Sequence, residues 1–176
     1  MFTAVRQRFA LFSPVLPAMA VILAASGPAM ARDSHWNGFY LGGNLGWVLD
    51  ADGGIGKSLH LGYNMQIDRL VVGAELEQSR TDIGTSRGHI SEVTRVKMRA
   101  GYAEGRSYYY GLAGVAEVQG FFGKVDATVL GVGMDYDIGR DISIGAEFLH
   151  HIINDFNDAG DNLGVNTLTL RATLNF

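Results

Sequence analysis

His150 and His151 are neighbours, and Ser143 lies on the same stretch of chain, so nucleophilic hydrolysis is the first chemistry to weigh. A Ser–His–acid array needs three side chains that converge on one point. Adjacent residues of an extended segment point to opposite faces, so the two histidines do not share a site. No serine lies within a few positions of either, and Ser143 is expected to point inward near the far end of its strand. His60 and His89 have no evident triad partners. An aspartate–histidine protease at a rim stays open, but no residue points to it. The expectation is no catalytic residue and no enzyme.

Hard oxygen ligands are dense in "NDFNDAGDN", where Asp155, Asp158 and Asp161 stand three apart among Asn154, Asn157 and Asn162. Such a loop could take Ca²⁺ or share the cations that bridge lipopolysaccharide. It lacks the alternate-position spacing of an EF-hand loop, and a solvated loop is the simpler account. Neither a metal nor a cofactor is expected.

The other charges are more orderly. Glu75 and Glu77 stand two apart, as do Arg95, Lys97 and Arg99; Glu117, Asp135, Glu147 and Arg171 fall on further strands. A spacing of two keeps side chains on one face of a strand. The nine together hold five acids against four bases. If the hairpin joining the two clusters pairs residues whose numbers sum to 172, Glu75 faces Lys97 and Glu77 faces Arg95. The set is then either an ion path or a salt-bridged plug. Buried charges must be paired, which favours the plug.

Eight segments with period-2 patterning must position these charges: 38–48, 58–66, 69–78, 92–103, 107–118, 126–137, 141–152 and 165–176. Each approaches the length that a tilted strand needs to cross a bilayer, about 9–11 residues. Tight connections near "QIDR", "AEGRS" and "DIGRD" alternate with mostly longer ones: "LDADGGIGK", "SRTDIGTSRGHIS", "QGFFGKV" and "INDFNDAGDNLG". Short turns at one end and longer loops at the other mark outer-membrane barrels, with the short turns in the periplasm. The pattern predicts an all-β fold, an eight-stranded antiparallel up-and-down transmembrane β-barrel.

One face of each strand is free of Asp, Glu, Lys and Arg, as lipid requires. On the fifth strand that face is assigned to Tyr108, Tyr110, Leu112, Ala116 and Val118, with Gly114 as a small gap, as Gly43 is on the first. The opposite face carries the charges and many glycines, Gly42, Gly62, Gly111, Gly133 and Gly145 among them, which suits a cramped interior. Phe39, Tyr102, Tyr108, Tyr136 and Phe176 make an aromatic girdle at the short-turn end. Trp47, with Phe121 and Phe122 in the adjoining loop, makes the other. In the last strand Leu168, Leu170, Ala172, Leu174 and Phe176 alternate up to a terminal aromatic residue, which resembles the signal read by the outer-membrane barrel assembly machinery.

Residues 1–31 contain Arg6 and Arg8, an apolar run and Ala29-Met30-Ala31, with no acid. That is a secretory signal peptide, with cleavage expected after Ala31. Residues 32–37 would be a short periplasmic segment and 38–176 the barrel. Cleavage takes two of the 14 basic residues and none of the 18 acidic ones, moving the formal charge from −4 to −6. No basic patch suggests nucleic acid. Cysteine is absent, so disulfides do not hold the fold.

"HWNGFYLGGNLGW", "LHLGYNMQIDRLVVGAELE", "RVKMRAGYAEGRSYYYGLAGVA" and "TLRATLNF" resemble the small outer-membrane β-barrels of alphaproteobacteria, the opacity-like or "porin family" proteins of Rhizobium- and Brucella-like bacteria. The resemblance spans residues 35–176 and implies a fold rather than a chemistry. This chain departs in its short loops and in having no peptidoglycan-binding domain after the last strand. The expectation is an integral outer-membrane protein with a structural or surface-interaction role. The alternatives are a small-solute porin and a surface adhesin or receptor acting through its loops. Expected partners are membrane lipid and lipopolysaccharide, the assembly machinery during biogenesis, and a host or surface ligand at the loops.

Overall fold

The computed structural model describes residues 36–50, 54–85, 88–120, 123–153 and 163–176. The proposed cleavage site at Ala31, Phe121, Phe122 and the acidic segment 154–162 lie outside the described residues. The eight strands are β1 (Gly38–Val48), β2 (Gly54–Ile67), β3 (Leu70–Thr85), β4 (Gly88–Glu104), β5 (Ser107–Gly120), β6 (Gly123–Gly139), β7 (Ile142–Ile153) and β8 (Leu163–Asn175). Each pairs antiparallel with its neighbours in sequence, and β8 pairs with β1 from Tyr40↔Asn175 to Val48↔Thr167, so the sheet closes. The Phe176 amide donates to the Phe39 carbonyl at 2.8 Å and carries the seam to the last residue. Closure leaves no strand edge unpaired within the wall, as hydrocarbon demands.

The short-turn end is built from two-residue connections, Asp68-Arg69, Gly105-Arg106 and Arg140-Asp141. In the last, both residues adopt positive φ, 56° and 61°, the combination whose twist matches a tight hairpin. At the opposite end the strands run further than alternation suggests. Much of "SRTDIGTSRGHIS" is strand, with Ile83↔Ile90 and Thr85↔Gly88 paired beyond a bulge after Arg80. The polar side chains there break the apolar period while the backbone ladder continues. β3 to β6 therefore form extended hairpins where the sequence suggests loops.

Among the described residues, every large apolar side chain that is strongly exposed lies on the outward parity, from Leu41 on β1 to Phe176 after β8. The outward apolar run is bounded by polar residues at the long end: Gln78 and Arg80 on β3, Glu92 and Thr94 on β4, Asn166 on β8. A belt of this kind places the greasy surface in lipid.

The faces match expectation on seven strands and are reversed on β5. Tyr108, Tyr110, Leu112 and Ala116 are buried in the interior, and Tyr109 and Val115 are exposed. Val118 pairs with inward Val93, and Gly114 with inward Lys97. Gly111 falls on the outside, and a Cβ there would meet nothing within 4 Å. Glu117 shares the outward parity of Val115 and pairs with Thr94 and Asp126; it does not belong to the interior charges. The reason is composition: apart from Glu117 near its end, "YYYGLAGVAEV" is apolar on both parities, so β5 takes its facing from its neighbours' register. Tyr109 replaces Tyr108 in the aromatic girdle. Turn arginines cap two other girdle rings, Arg69 over Tyr102 at 5.7 Å and Arg106 over Tyr136 at 5.5 Å.

Candidate functional site in the barrel interior

The β3–β4 register pairs Glu75 with Lys97 and Glu77 with Arg95, the pairing for which residue numbers sum to 172. With Glu117 outside, the buried charged residues are four acids, Glu75, Glu77, Asp135 and Glu147, and four bases, Arg95, Lys97, Arg99 and Arg171. Formal charge within the described interior therefore cancels.

The centre of the network is the Lys97 ammonium, with Nζ 2.7 Å from Glu75 Oε1, 2.8 Å from Glu77 Oε2 and 3.0 Å from Glu147 Oε2. Those three glutamates carry oxygens within 4.8 Å of one another, the geometry of a cation site. Here the lysine itself supplies the cation. One layer toward the short turns, Arg171 reaches Glu75 at 2.7 Å and Glu147 at 2.5 Å, and its Nε stands 3.5 Å from Asp135. Arg99 lies 3.3 Å from Asp135 and 3.6 Å from Glu75. Toward the long end, Arg95 binds Glu77 at 3.1 Å, and its Nε donates to His151 Nε2 at 3.1 Å.

Neutral groups complete the set. Tyr40 Oη donates to Glu75 at 3.0 Å, and Tyr110 Oη donates to Glu147 at 2.8 Å. Ser58 Oγ donates to Glu77 at 2.7 Å and accepts from Asn44 Nδ2 at 3.0 Å. Asn64 Oδ1 accepts from Arg99 at 3.1 Å, and His60 hydrogen-bonds with Thr173 at 3.0 Å. The Arg99 guanidinium also stacks over Tyr40 at 4.7 Å and Tyr110 at 4.8 Å, where the negative ring faces favour a cation. At the short-turn mouth Trp36 packs on Tyr108, with centroids 5.4 Å apart, and Tyr108 stacks on Tyr110 at 4.7 Å. One wall is apolar: Leu112, Ala116, Ala127, Val129 and Leu149 line β5 to β7.

Several large interior residues sit directly opposite a glycine on the next strand: Tyr40↔Gly62, His60↔Gly42, Asn64↔Gly73, Tyr110↔Gly133. A Cβ at Gly62 would fall 2.1 Å from Tyr40 Oη, and one at Gly133 2.5 Å from Tyr110 Cζ. These glycines make room for rings and charges inside a narrow cylinder.

Tyr40 and Asn64 take part without having stood out in the sequence, and His60 and His151, weighed there only for catalysis, join the network too; the inward parity of all four was readable from alternation. Tyr110 was hidden by the apolar run around it. Ser143 is buried on β7 and accepts from Asn175 Nδ2 at 3.3 Å. It is separated from His151 by about 26 Å along the strand at ~3.3 Å per residue. His150 points outward and hydrogen-bonds Asn166 at 2.9 Å. Among the described residues, His60, His150, His151 and Ser143 are thus spread over both faces of the wall.

The profile of the outer membrane protein beta-barrel domain matches residues 18–176. The chain belongs to that family. The barrel is an integral protein of the outer membrane, with lipid around its apolar belt. Its fold is similar to Neisserial surface protein A (NspA), at TM-score 0.57 and 16% identity over 80% of this chain and 98% of that one. It is similar also to the outer membrane enzyme PagL, at TM-score 0.52 and 12% identity over 78% and 99%. The attachment invasion locus protein Ail of Yersinia pestis aligns at TM-score 0.47 and 18% identity over 78% and 96%. Among curated proteins no match was found. Barrels of this size thus include enzymes as well as surface proteins.

Proposed function

We propose that this barrel is a closed, non-enzymatic structural element of the outer membrane that presents its β3–β4 and β5–β6 hairpins outward, the short turns facing the periplasm. The observation that carries the reading is the Lys97 ammonium within hydrogen-bonding distance of Glu75, Glu77 and Glu147. With Arg171 and Arg99 it ties strands from opposite sides of the cylinder together, and among the described interior residues no charge is left unpaired to guide an ion. Purified protein in planar bilayers should give at most small, rare conductance steps. Steady large channels would refute the plug and favour the porin reading.

Surface interaction is the second role. It is supported by the extension of β3 to β6 past the apolar belt, which gives a larger projecting surface than loops alone. Exchanging the tips of these hairpins should reduce attachment to a host or surface ligand if they carry one. In this reading the chain is an opacity-like barrel of the alphaproteobacterial type, exported by a leader cleaved after Ala31. Leu168, Leu170, Ala172, Leu174 and Phe176 form its assembly signal, and lipopolysaccharide surrounds its outer rim.

A further inference from the structure

At the short-turn end lies a cavity of about 430 Å³. Its rim is exposed and charged: Asp68 and Arg69 come from the β2–β3 turn and Glu104 from the end of β4. Of the other residues that line it, Gln66 is half-buried, and Trp36 and Ala103 are buried.

The two acids oppose each other. The β3–β4 ladder pairs Leu70 with Tyr102, and the Ala103 N–H carries it one step further by donating to the Arg69 carbonyl at 2.7 Å. Asp68 and Glu104 hold the next facing positions. Like charges so placed repel. Arg69 answers only one of them: its Nη1 stands 3.8 Å from Glu104 and donates to Tyr102 Oη. Among the described residues no base forms an ion pair with Asp68, so the rim has two acids against one base.

The buried wall makes a second demand. Trp36 is 4% exposed, yet among the described residues its Nε1–H has no acceptor. A buried indole N–H ordinarily finds one. Gln66 is engaged elsewhere, its Oε1 on the Trp36 backbone N–H at 3.2 Å and its Nε2 on the Asp68 carbonyl at 2.7 Å. Packing against Tyr108, with centroids 5.4 Å apart, holds the indole in place. The rim thus lacks a cation and the wall lacks an acceptor. An ammonium with a carbonyl a few bonds away supplies both, which is the chemistry of a peptide's amino end. The volume lies toward the lower end of the usual range for small ligands, about 300–1,000 Å³, and suits a terminus better than a long segment.

We propose that this cavity captures the free amino terminus of a peptide, its ammonium between Asp68 and Glu104 and its first carbonyl accepting from Trp36 Nε1–H. On the orientation proposed above the cavity faces the periplasm, which names the compartment where the peptide is met. Binding by the purified barrel depends neither on that orientation nor on the plug.

The test uses the folded barrel in detergent with Trp47→Phe, which leaves Trp36 as its one tryptophan. Trialanine amide, its N-acetylated form and 1,4-diaminobutane are titrated in, with binding read by calorimetry and by the NMR signal of the Trp36 indole N–H. Trialanine amide should bind saturably and move that signal downfield. The acetylated peptide should bind roughly tenfold more weakly, and so should the free peptide to Asp68→Asn/Glu104→Gln, as the loss of two exposed ion pairs would give. Asparagine suits position 68, where φ is 54°. Trp36→Phe keeps a ring against Tyr108 and should bind roughly fivefold more weakly, the loss of one neutral hydrogen bond. Heat-modifiable gel migration checks that each variant folds. Equal binding of the acetylated peptide, or undiminished binding by the acid variant, would overturn the ammonium site. An indole signal unmoved at saturation would overturn the carbonyl contact. Diaminobutane bound as tightly as the peptide would overturn the peptide assignment. No saturable binding of trialanine amide would overturn the site altogether and leave water as the acceptor of the indole.

Discussion

Lys97 on β4 and Glu147 on β7 meet across the barrel, with Nζ 3.0 Å from Oε2. The contact joins strands that share no ladder, so it spans the lumen. The same ammonium touches Glu75 and Glu77 on the adjoining strand. One side chain therefore bridges three carboxylates across the lumen, and Arg95, Arg99 and Arg171 supply the rest of their countercharge.

Lys97→Met should leave those carboxylates one countercharge short. Removing one partner of a buried ion pair typically costs about 3–5 kcal/mol, so the unfolding midpoint in urea should fall, read by heat-modifiable migration. Any conductance the variant gains in planar bilayers should be cation-selective, because the remaining acids outnumber the bases.

Glu147 and Glu117 make a controlled comparison. Glu147→Gln withdraws a charge that faces Lys97 and Arg171 and should destabilise the barrel by about 3–5 kcal/mol. Glu117→Gln, on the outer face, should cost less than about 1 kcal/mol. Paired urea titrations check the difference; equal losses would place Glu117 among the interior charges after all.

Gly133→Ala drives a methyl group into the Tyr110 ring, whose Cζ, Cε2 and Oη would all lie within 2.7 Å of it. Overpacking of this kind costs about 1–3 kcal/mol. In a Tyr110→Leu background the same change should cost much less. A double-mutant cycle measures the coupling; additive effects would mean that the glycine serves something other than the ring.

The facing of β5 can be read by labelling. Tyr109→Cys and Val115→Cys should react with a thiol reagent confined to the lipid phase. Tyr110→Cys and Leu112→Cys should stay protected until the barrel is unfolded. The opposite pattern would reverse the strand.

Deleting Phe176 removes the amide that donates to Phe39 and the last aromatic residue of the girdle. Folded protein in the outer membrane should decline, with unassembled chain appearing in the periplasm, measured by fractionation and heat-modifiable gels. Phe176→Tyr should assemble near the parent level, since an aromatic ring remains at the interface.

The sequence by itself determined much of this molecule: alternation marked eight strands, and the charge-free face opposite a glycine-bearing one set the lipid-facing parity of seven. The period of two put Glu75, Glu77, Arg95 and Lys97 on one face, but which of them pair depended on the hairpin register, which the structure fixes. Only the tertiary structure decided β5. Its "YYYGLAGVAEV" run is apolar on both parities except for Glu117, which pattern places inside and register turns out. With β4 and β6 holding Gly101 and Gly133 beside position 110, Tyr110 fits inside and Glu117 must turn out. The cross-lumen partners were equally beyond sequence, since Lys97–Glu147 and Arg171–Glu75 depend on how a closed sheet brings non-neighbouring strands together. Strand length at the long end was also a tertiary outcome, because a backbone ladder continues past the point where apolar side chains stop marking it.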